Sequence, residues 1–394
     1  MIYIMKNLGA MSGDKIIQIF AVIPPGITTL DLSLNFLYKK SGVELAQLFA
    51  LIPQGVTTLS LSGNEIYKKS EAELAQAFAA IPQGVTVLNL SNNYLHEKSG
   101  TELAQVFAVI PPQVTNLDLS LNFLYKKSGT ELAQAFAAIP QGVDTLNLHW
   151  NDLYQKSAIE LAQAFGAIPI GVTTLNLNWN CLYQKSGVEL SQAFKAIPQG
   201  VTTLNLSCNS LHNKSGGELA QAFGAIPQSV NTLNLSENFF GEKSGEELAQ
   251  AFAAIPQGVT MLDLKSNGFL KKSSKELTLI LQAIPKNVAC VTLTVKEFNQ
   301  MNLEQRKAIQ SCFPRAEQII LIDTDDKNRK LNPTSSRADA NVYVRLGFKV
   351  SAPSLFDTTS FFVARNKRKL ETFNPGFEQI LHPKLMEGVN RFRG

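Results

Sequence analysis

The chain has little of what most often announces a chemistry: four histidines, four cysteines and two tryptophans in 394 residues. Cys181, Cys208, Cys290 and Cys312 show no C-x-x-C or comparable spacing. That argues against a zinc site or a disulfide framework and fits reduced thiols in a cytosol-like compartment. There is no run of about 18 apolar residues to span a membrane. The opening, with Lys6 and Lys15 after a short apolar start, lacks the order of a cleaved signal peptide, so any export is expected to be signal-peptide-independent. Neither a glycine-rich phosphate loop nor an H-E-x-x-H helix is present, and no set of acid, base and nucleophile emerges. The sequence therefore predicts a protein that is not an enzyme, with no catalytic residues, cofactor or metal. Net charge is only +4, too weak to argue for nucleic acid.

What the chain has is a repeat. Asn35, Asn64, Asn93, Asn122, Asn151, Asn180, Asn209, Asn238 and Asn267 each stand 29 residues from the next. A period held without insertions predicts a solenoid, because stacked units bury a continuous core that none could bury alone. Around Asn35, Leu30 and Leu32 alternate with Thr29, Asp31 and Ser33, a period of two that turns leucines inward and polar residues to an open face. The asparagine is expected to turn inward, where its amide satisfies the bending backbone.

Each repeat then offers a Ser-x-x-Glu capping box, from Ser41 with Glu44 to Ser273 with Glu276. In the repeat from Val172 to Gly200, Leu190, Ala193, Phe194 and Ile197 follow at helical spacing. Pro198 and Gln199-Gly200 then end the helix. Helices about 10 Å wide behind strands about 4.8 Å apart predict curvature, with the sheet on the concave face and helices on the convex face. A lysine precedes every capping serine, from Lys40 to Lys272. Two readings are open for this column: a solvated ladder compensated by the glutamates, or an anion-binding rim.

The strand phrase L-x-x-L-x-L-x-x-N-x-L, as in Val172, Leu175, Leu177, Asn180 and Leu182, resembles the leucine-rich repeat family. A repeat of this length with a true helix resembles its ribonuclease-inhibitor-like branch. The resemblance implies an α/β horseshoe solenoid with a small C-terminal capping region. Near-identical units, with Ala-Gln-Ala-Phe helices ending in Ile-Pro-Gln-Gly, are also similar to leucine-rich-repeat effectors that intracellular bacterial pathogens deliver into host cells. Some such effectors carry a large C-terminal ubiquitin-ligase domain with a nucleophilic cysteine. Here the last cysteine is Cys312, and too little chain follows the repeats to hold that domain.

Residues 1–26 read as a degenerate opening repeat, with Lys15 where later units have Glu. Residues 27–287 form nine full repeats, and 288–325 are degenerate closing repeats, with Lys296 and Asp325 replacing the asparagine. Residues 326–394 do not repeat. DDKNRKLNPTSSR reads as a loop, Ser336 to Leu346 as a helix stopped by Gly347, and PSLFDTTSFFVAR as apolar enough to fold against the end of the array. This segment carries about seven more basic than acidic residues, among them Arg365, Lys367, Arg368 and Lys369. It reads as a cap or as a small basic docking element for anionic lipid or nucleic acid.

Variable positions carry the functional expectation. The residue before the asparagine runs Leu34, Gly63, Asn92, Leu121, Trp150, Trp179, Cys208, Glu237, Ser266, and the one before that changes from its usual serine to His149 and Asn178 in two adjacent repeats. His96 and His212 fall where five repeats have tyrosine, and read as aromatic substitutes rather than bases. In-register strands would set Trp150 beside Trp179 on the concave wall, flanked by His149, Asn178, Leu121, Cys208 and Glu237. Tryptophan suits a binding hot spot because a large rigid surface is desolvated with little entropy loss. The expected protein is a monomeric scaffold that binds a partner protein there. By resemblance that partner is a host protein and the site of action the host cytosol. The alternative is a membrane-targeted adaptor using the basic C-terminal segment.

Overall fold

The computed structural model describes residues 1–325, 329–333, 337–348 and 363. It divides into two compact units, Met1–Gly268 with Gln282–Ala289, and Phe269–Leu281 with Cys290–Gly394.

The first unit is a repeating strand, turn, helix solenoid. Its strands are β1 (Ile2–Ile4), β2 (Thr29–Asp31), β3 (Thr58–Ser60), β4 (Val87–Asn89), β5 (Asn116–Asp118), β6 (Thr145–Asn147), β7 (Thr174–Asn176), β8 (Thr203–Asn205), β9 (Thr232–Asn234) and β10 (Met261–Asp263). Each pairs in parallel with the next at a constant register, so Leu146 lies beside Leu175 and Leu175 beside Leu204. Helices α1 (Gly13–Ala21), α2 (Gly42–Ala50), α3 (Glu71–Phe78), α4 (Gly100–Ala108), α5 (Gly129–Ala137), α6 (Ala158–Gly166), α7 (Gly187–Lys195), α8 (Gly216–Gly224) and α9 (Gly245–Ala253) form the second layer. The period-two leucines and the helical stripe meet between the layers: Leu175, Leu177, Leu190, Phe194 and Ile197 are all buried. The opening residues form a fuller repeat than the sequence suggests, since β1 pairs with β2. Their degeneracy shows at α1, where Lys15 replaces the glutamate and Ser12 makes no side-chain cap bond.

From α2 to α9 every helix begins with the reciprocal Ser/Glu capping box. The asparagines are fully buried and act as expected. Asn180 Nδ2 donates to the carbonyls of Leu148 (3.0 Å) and Leu177 (3.1 Å). Its Oδ1 accepts from the backbone N–H groups of Asn151 (3.0 Å) and Leu153 (3.2 Å). One side chain thereby satisfies the polar groups of two successive turns.

The lysine column corrects the sequence reading. These side chains are not solvated: Lys69, Lys127, Lys156, Lys185 and Lys214 are all at most 9% exposed. Lys185 Nζ donates to the Lys156 carbonyl (2.8 Å) and Lys214 Nζ to the Lys185 carbonyl (2.7 Å). Each also pairs with the capping glutamate four residues on, as in Lys214–Glu218 at 2.8 Å. The turn leaves one carbonyl per repeat without a backbone donor, and the next lysine reaches down to it. A rim that captures external anions is thereby overturned, because the ammonium groups are already used.

The second unit contains β11 (Cys290–Thr294) and β12 (Ile319–Asp323) in parallel, with β13 (Arg329–Lys330) antiparallel to β12. Its helices are most of α10 (Ser274–Ala283), then α11 (Val295–Gln300), α12 (Leu303–Cys312) and α13 (Arg337–Arg345). After β11 a Thr294/Glu297 capping box starts α11 directly, where earlier repeats have the asparagine turn. Gln305 replaces the ladder lysine here, its Nε2 donating to the carbonyls of Leu270 (2.8 Å) and Lys272 (2.6 Å). Residues read as a polar loop include the short strand β13. The expected helix before Gly347 is α13, and Gly347 takes φ +91°, a value that favours glycine. Tyr343 on α13 is buried and donates from Oη to the Ile319 carbonyl (2.9 Å). Most of PSLFDTTSFFVAR, and Arg365, Lys367, Arg368 and Lys369 of the basic segment, lie outside the described residues.

Candidate functional site

The site is built from turns rather than strands. Each assigned strand spans three residues, so Trp150 and Trp179 lie three residues beyond the ends of β6 and β7. The chain must bend sharply to bury the following asparagine. It does so by taking a left-handed conformation on both sides of it: φ is +50° at Trp150 and +52° at Asp152, then +55° at Trp179 and +53° at Cys181. The two tryptophans therefore sit in the turn that follows the strand, where the backbone N–H of Trp150 still donates to the Asn178 carbonyl and that of Trp179 to the Ser207 carbonyl, both at 3.3 Å. There side chains project outward and each non-glycine residue carries a conformational cost of about 1–2 kcal/mol.

The seven expected residues are spread over five consecutive repeats, with contacts that join His149 to Trp150 and Asn178, Trp150 to Trp179, and Cys208 to Glu237. Leu121, Trp150, Trp179, Cys208 and Glu237 occupy the same left-handed position in five consecutive repeats. The indoles of Trp150 and Trp179 stack with centroids 5.4 Å apart and planes 9° from parallel. His149 packs edge-on against Trp150 at 5.8 Å. Its Nδ1 lies 2.8 Å from Asn178 Oδ1, an arrangement that calls for an N–H at Nδ1 donating to the amide oxygen. Both indoles remain open, 47% exposed at Trp150 and 44% at Trp179.

The sequence reading missed a second column, one residue after the asparagine. It includes Phe36, Tyr94, Phe123 and Phe239, of which Phe36, Tyr94 and Phe239 are exposed. Tyr94 stacks on Phe123 with centroids 6.0 Å apart. The signal was available: bulky apolar residues recur at a position whose neighbours on both sides are structural. His96 and His212 pack edge-on against Phe123 and Phe239, both at 5.4 Å, in keeping with their reading as aromatic substitutes.

Electrostatics around the site argue against nucleophilic cysteine chemistry. Burial, then the Glu237 carboxylate, pushes the Cys208 thiol up to about 12, and its Sγ donates to Glu237 Oε2 at 3.5 Å. Burial, then Asp152, raises Cys181 as well. Burial also raises Asp152 from its ordinary value. A thiol held in its neutral form is a poor nucleophile and a poor metal ligand. Among the described residues, no group of three or more His, Cys, Asp or Glu is placed to hold a metal ion, and no helix is long and apolar enough to cross a membrane. What the arrangement offers is contact: rigid aromatic surface beside amide, imidazole and carboxylate groups.

No protein-family model matches the chain, and no curated protein does. Among solved structures it is similar to the leucine-rich repeat-containing protein LegL7 from Legionella pneumophila, 37% identical over 90% of this chain and 100% of that one, with a TM-score of 0.70. A weaker likeness is to the yeast complex of Rad7 and Elc1, 13% identical over 80% of this chain and 73% of that one, with a TM-score of 0.44. This chain has a buried asparagine ladder and short parallel strands in constant register, and with 37% identity to a leucine-rich repeat protein that it covers from end to end, it belongs to the leucine-rich repeat family.

Proposed function

We propose that this protein is an interaction scaffold that binds a partner protein through the turn edge centred on Trp150 and Trp179. The observation that carries this reading is the stacked, half-exposed indole pair. Nothing in the fold requires tryptophan there, since seven other repeats fill the same position with Leu34, Gly63, Asn92, Leu121, Cys208, Glu237 or Ser266. Two large rigid rings held open to solvent can be desolvated by a partner at little entropic cost.

The likeness to a Legionella protein supports a more specific version: a bacterial effector whose partner is a host protein in the host cytosol. The test is affinity capture from host-cell lysate with the wild-type chain and the Trp150→Ala/Trp179→Ala variant. A partner that depends on the pair loses about 2 kcal/mol or more of affinity, while circular dichroism shows an intact fold. A partner held equally by both proteins sinks the site assignment.

A further inference from the structure

The column of left-handed positions has an uneven profile at the tryptophans. Trp150 covers one face of Trp179. On the other side the next repeat places Cys208, whose side chain is much shorter than an indole, beside a Trp179 that is 44% exposed. One repeat further stands Glu237, which is exposed and whose carboxylate reaches back to within 3.5 Å of the Cys208 thiol. Two repeat steps separate Trp179 from Glu237, about 10 Å at the usual strand spacing. That leaves room for one flat group with van der Waals contacts of about 3.5–4 Å.

The chemistry of the walls selects the group. An aromatic face and a carboxylate both attract cations. Among the described residues, Glu237 makes no ion pair, and its side-chain donor is the neutral thiol. The neighbouring Lys265 is held by Asp263 at 2.8 Å. Glu237 is therefore an exposed carboxylate with a weak donor, two repeats along the column from a half-exposed indole.

We propose that the slot between Trp179 and Glu237 receives a cationic side chain of the partner protein, arginine in preference to lysine; this rests on the reading of the turn edge as a protein-binding surface. A guanidinium is flat, stacks on an indole and can bind a carboxylate through two N–H groups, whereas an ammonium does only part of this. The partner surface that fits is basic at its centre and apolar around it, because Trp150 and Leu121 continue the column beyond the slot.

Because Trp150 and Trp179 are the only tryptophans in the chain, indole emission reports on this site alone. The probe is acetyl-Gly-Arg-Gly-amide, titrated against the full chain beside its lysine and citrulline counterparts. Citrulline keeps the shape of arginine and removes its charge. The arginine peptide is expected to give a saturable change in emission, with citrulline at least tenfold weaker and lysine between them. Glu237→Gln should weaken arginine binding about tenfold. Cys208→Leu should abolish it by filling the slot, and leucine is tolerated at this position in Leu34 and Leu121. Asp31→Asn, several repeats away, should leave binding unchanged. Equal binding of citrulline, or no effect of Glu237→Gln, overturns the slot. Should that happen while the double-tryptophan variant still loses its protein partner, the scaffold reading stands without the slot. Should the peptide bind as expected while partner capture ignores the tryptophans, the scaffold site fails instead.

Discussion

The ammonium of Lys185 donates a hydrogen bond of 2.8 Å to the backbone carbonyl of Lys156, its counterpart one repeat earlier. The same Nζ sits 2.8 Å from Glu189. A column of positive charge is thus turned into a staple between consecutive repeats.

Lys185→Met keeps the aliphatic stem and removes the donor, leaving the Lys156 carbonyl buried without its partner. The expected loss is about 1–3 kcal/mol of stability, read as a lower midpoint in urea denaturation. An unchanged midpoint would show that the staple contributes nothing.

Acid should loosen the array through the capping glutamates. Glu131, Glu160, Glu189 and Glu218 are held down at about 2, against an ordinary value of 4.5. At Glu189 and Glu218 the lysine hydrogen bond comes first, then the Ser186 or Ser215 backbone N–H. At Glu131 and Glu160 burial acts in the opposite direction and is outweighed by the corresponding lysine and serine contacts. A folded value below the unfolded one means stability that is fully present above 4.5 and lost as pH falls toward 2. Midpoints measured from pH 6 down to pH 2 should decline through that window. Glu160→Gln should start lower and decline less.

Asn180→Ala removes an amide that serves the backbone of two turns. Several buried groups lose their partners at once, so a cost of about 3 kcal/mol or more is expected. Differential scanning calorimetry of the variant checks this, and a loss below about 1 kcal/mol would contradict the assigned role.

Ser210 sits at φ +53° in the turn beside Asn209. Ser210→Gly relieves left-handed strain of about 1–2 kcal/mol against an entropic cost of about 0.5–1 kcal/mol, so the variant should be as stable as the parent or slightly more so. Ser210→Val, branched at Cβ, should be less stable by about 1 kcal/mol or more. The reverse order in thermal unfolding would count against the strain account.

Much of the architecture was legible because it is periodic. Leu175 and Leu177, Ser186 with Glu189, and Pro198 each act through contacts local in sequence or repeated every 29 residues. One motif therefore reports on all of them, and the inward asparagine could be read the same way. The stacking of Trp150 on Trp179 could also be inferred, since a constant register puts equivalent residues side by side.

The remaining facts depend on how the backbone turns in space. Whether Lys185 faces water or a carbonyl is set by where the previous repeat leaves Lys156, and a one-letter pattern does not contain that. Trp150 belongs to a turn and not a strand because burying Asn151 demands left-handed residues on either side, a constraint of three-dimensional closure. That the Glu237 carboxylate reaches back across a repeat to the Cys208 thiol is likewise a fact of the folded chain. Sequence alone determined the repeat, its caps and its core, through periodicity and local hydrogen bonding. Tertiary structure decided which charges are used up and which remain open to a partner, because burial and hydrogen-bond geometry are set by neighbours 29 residues away.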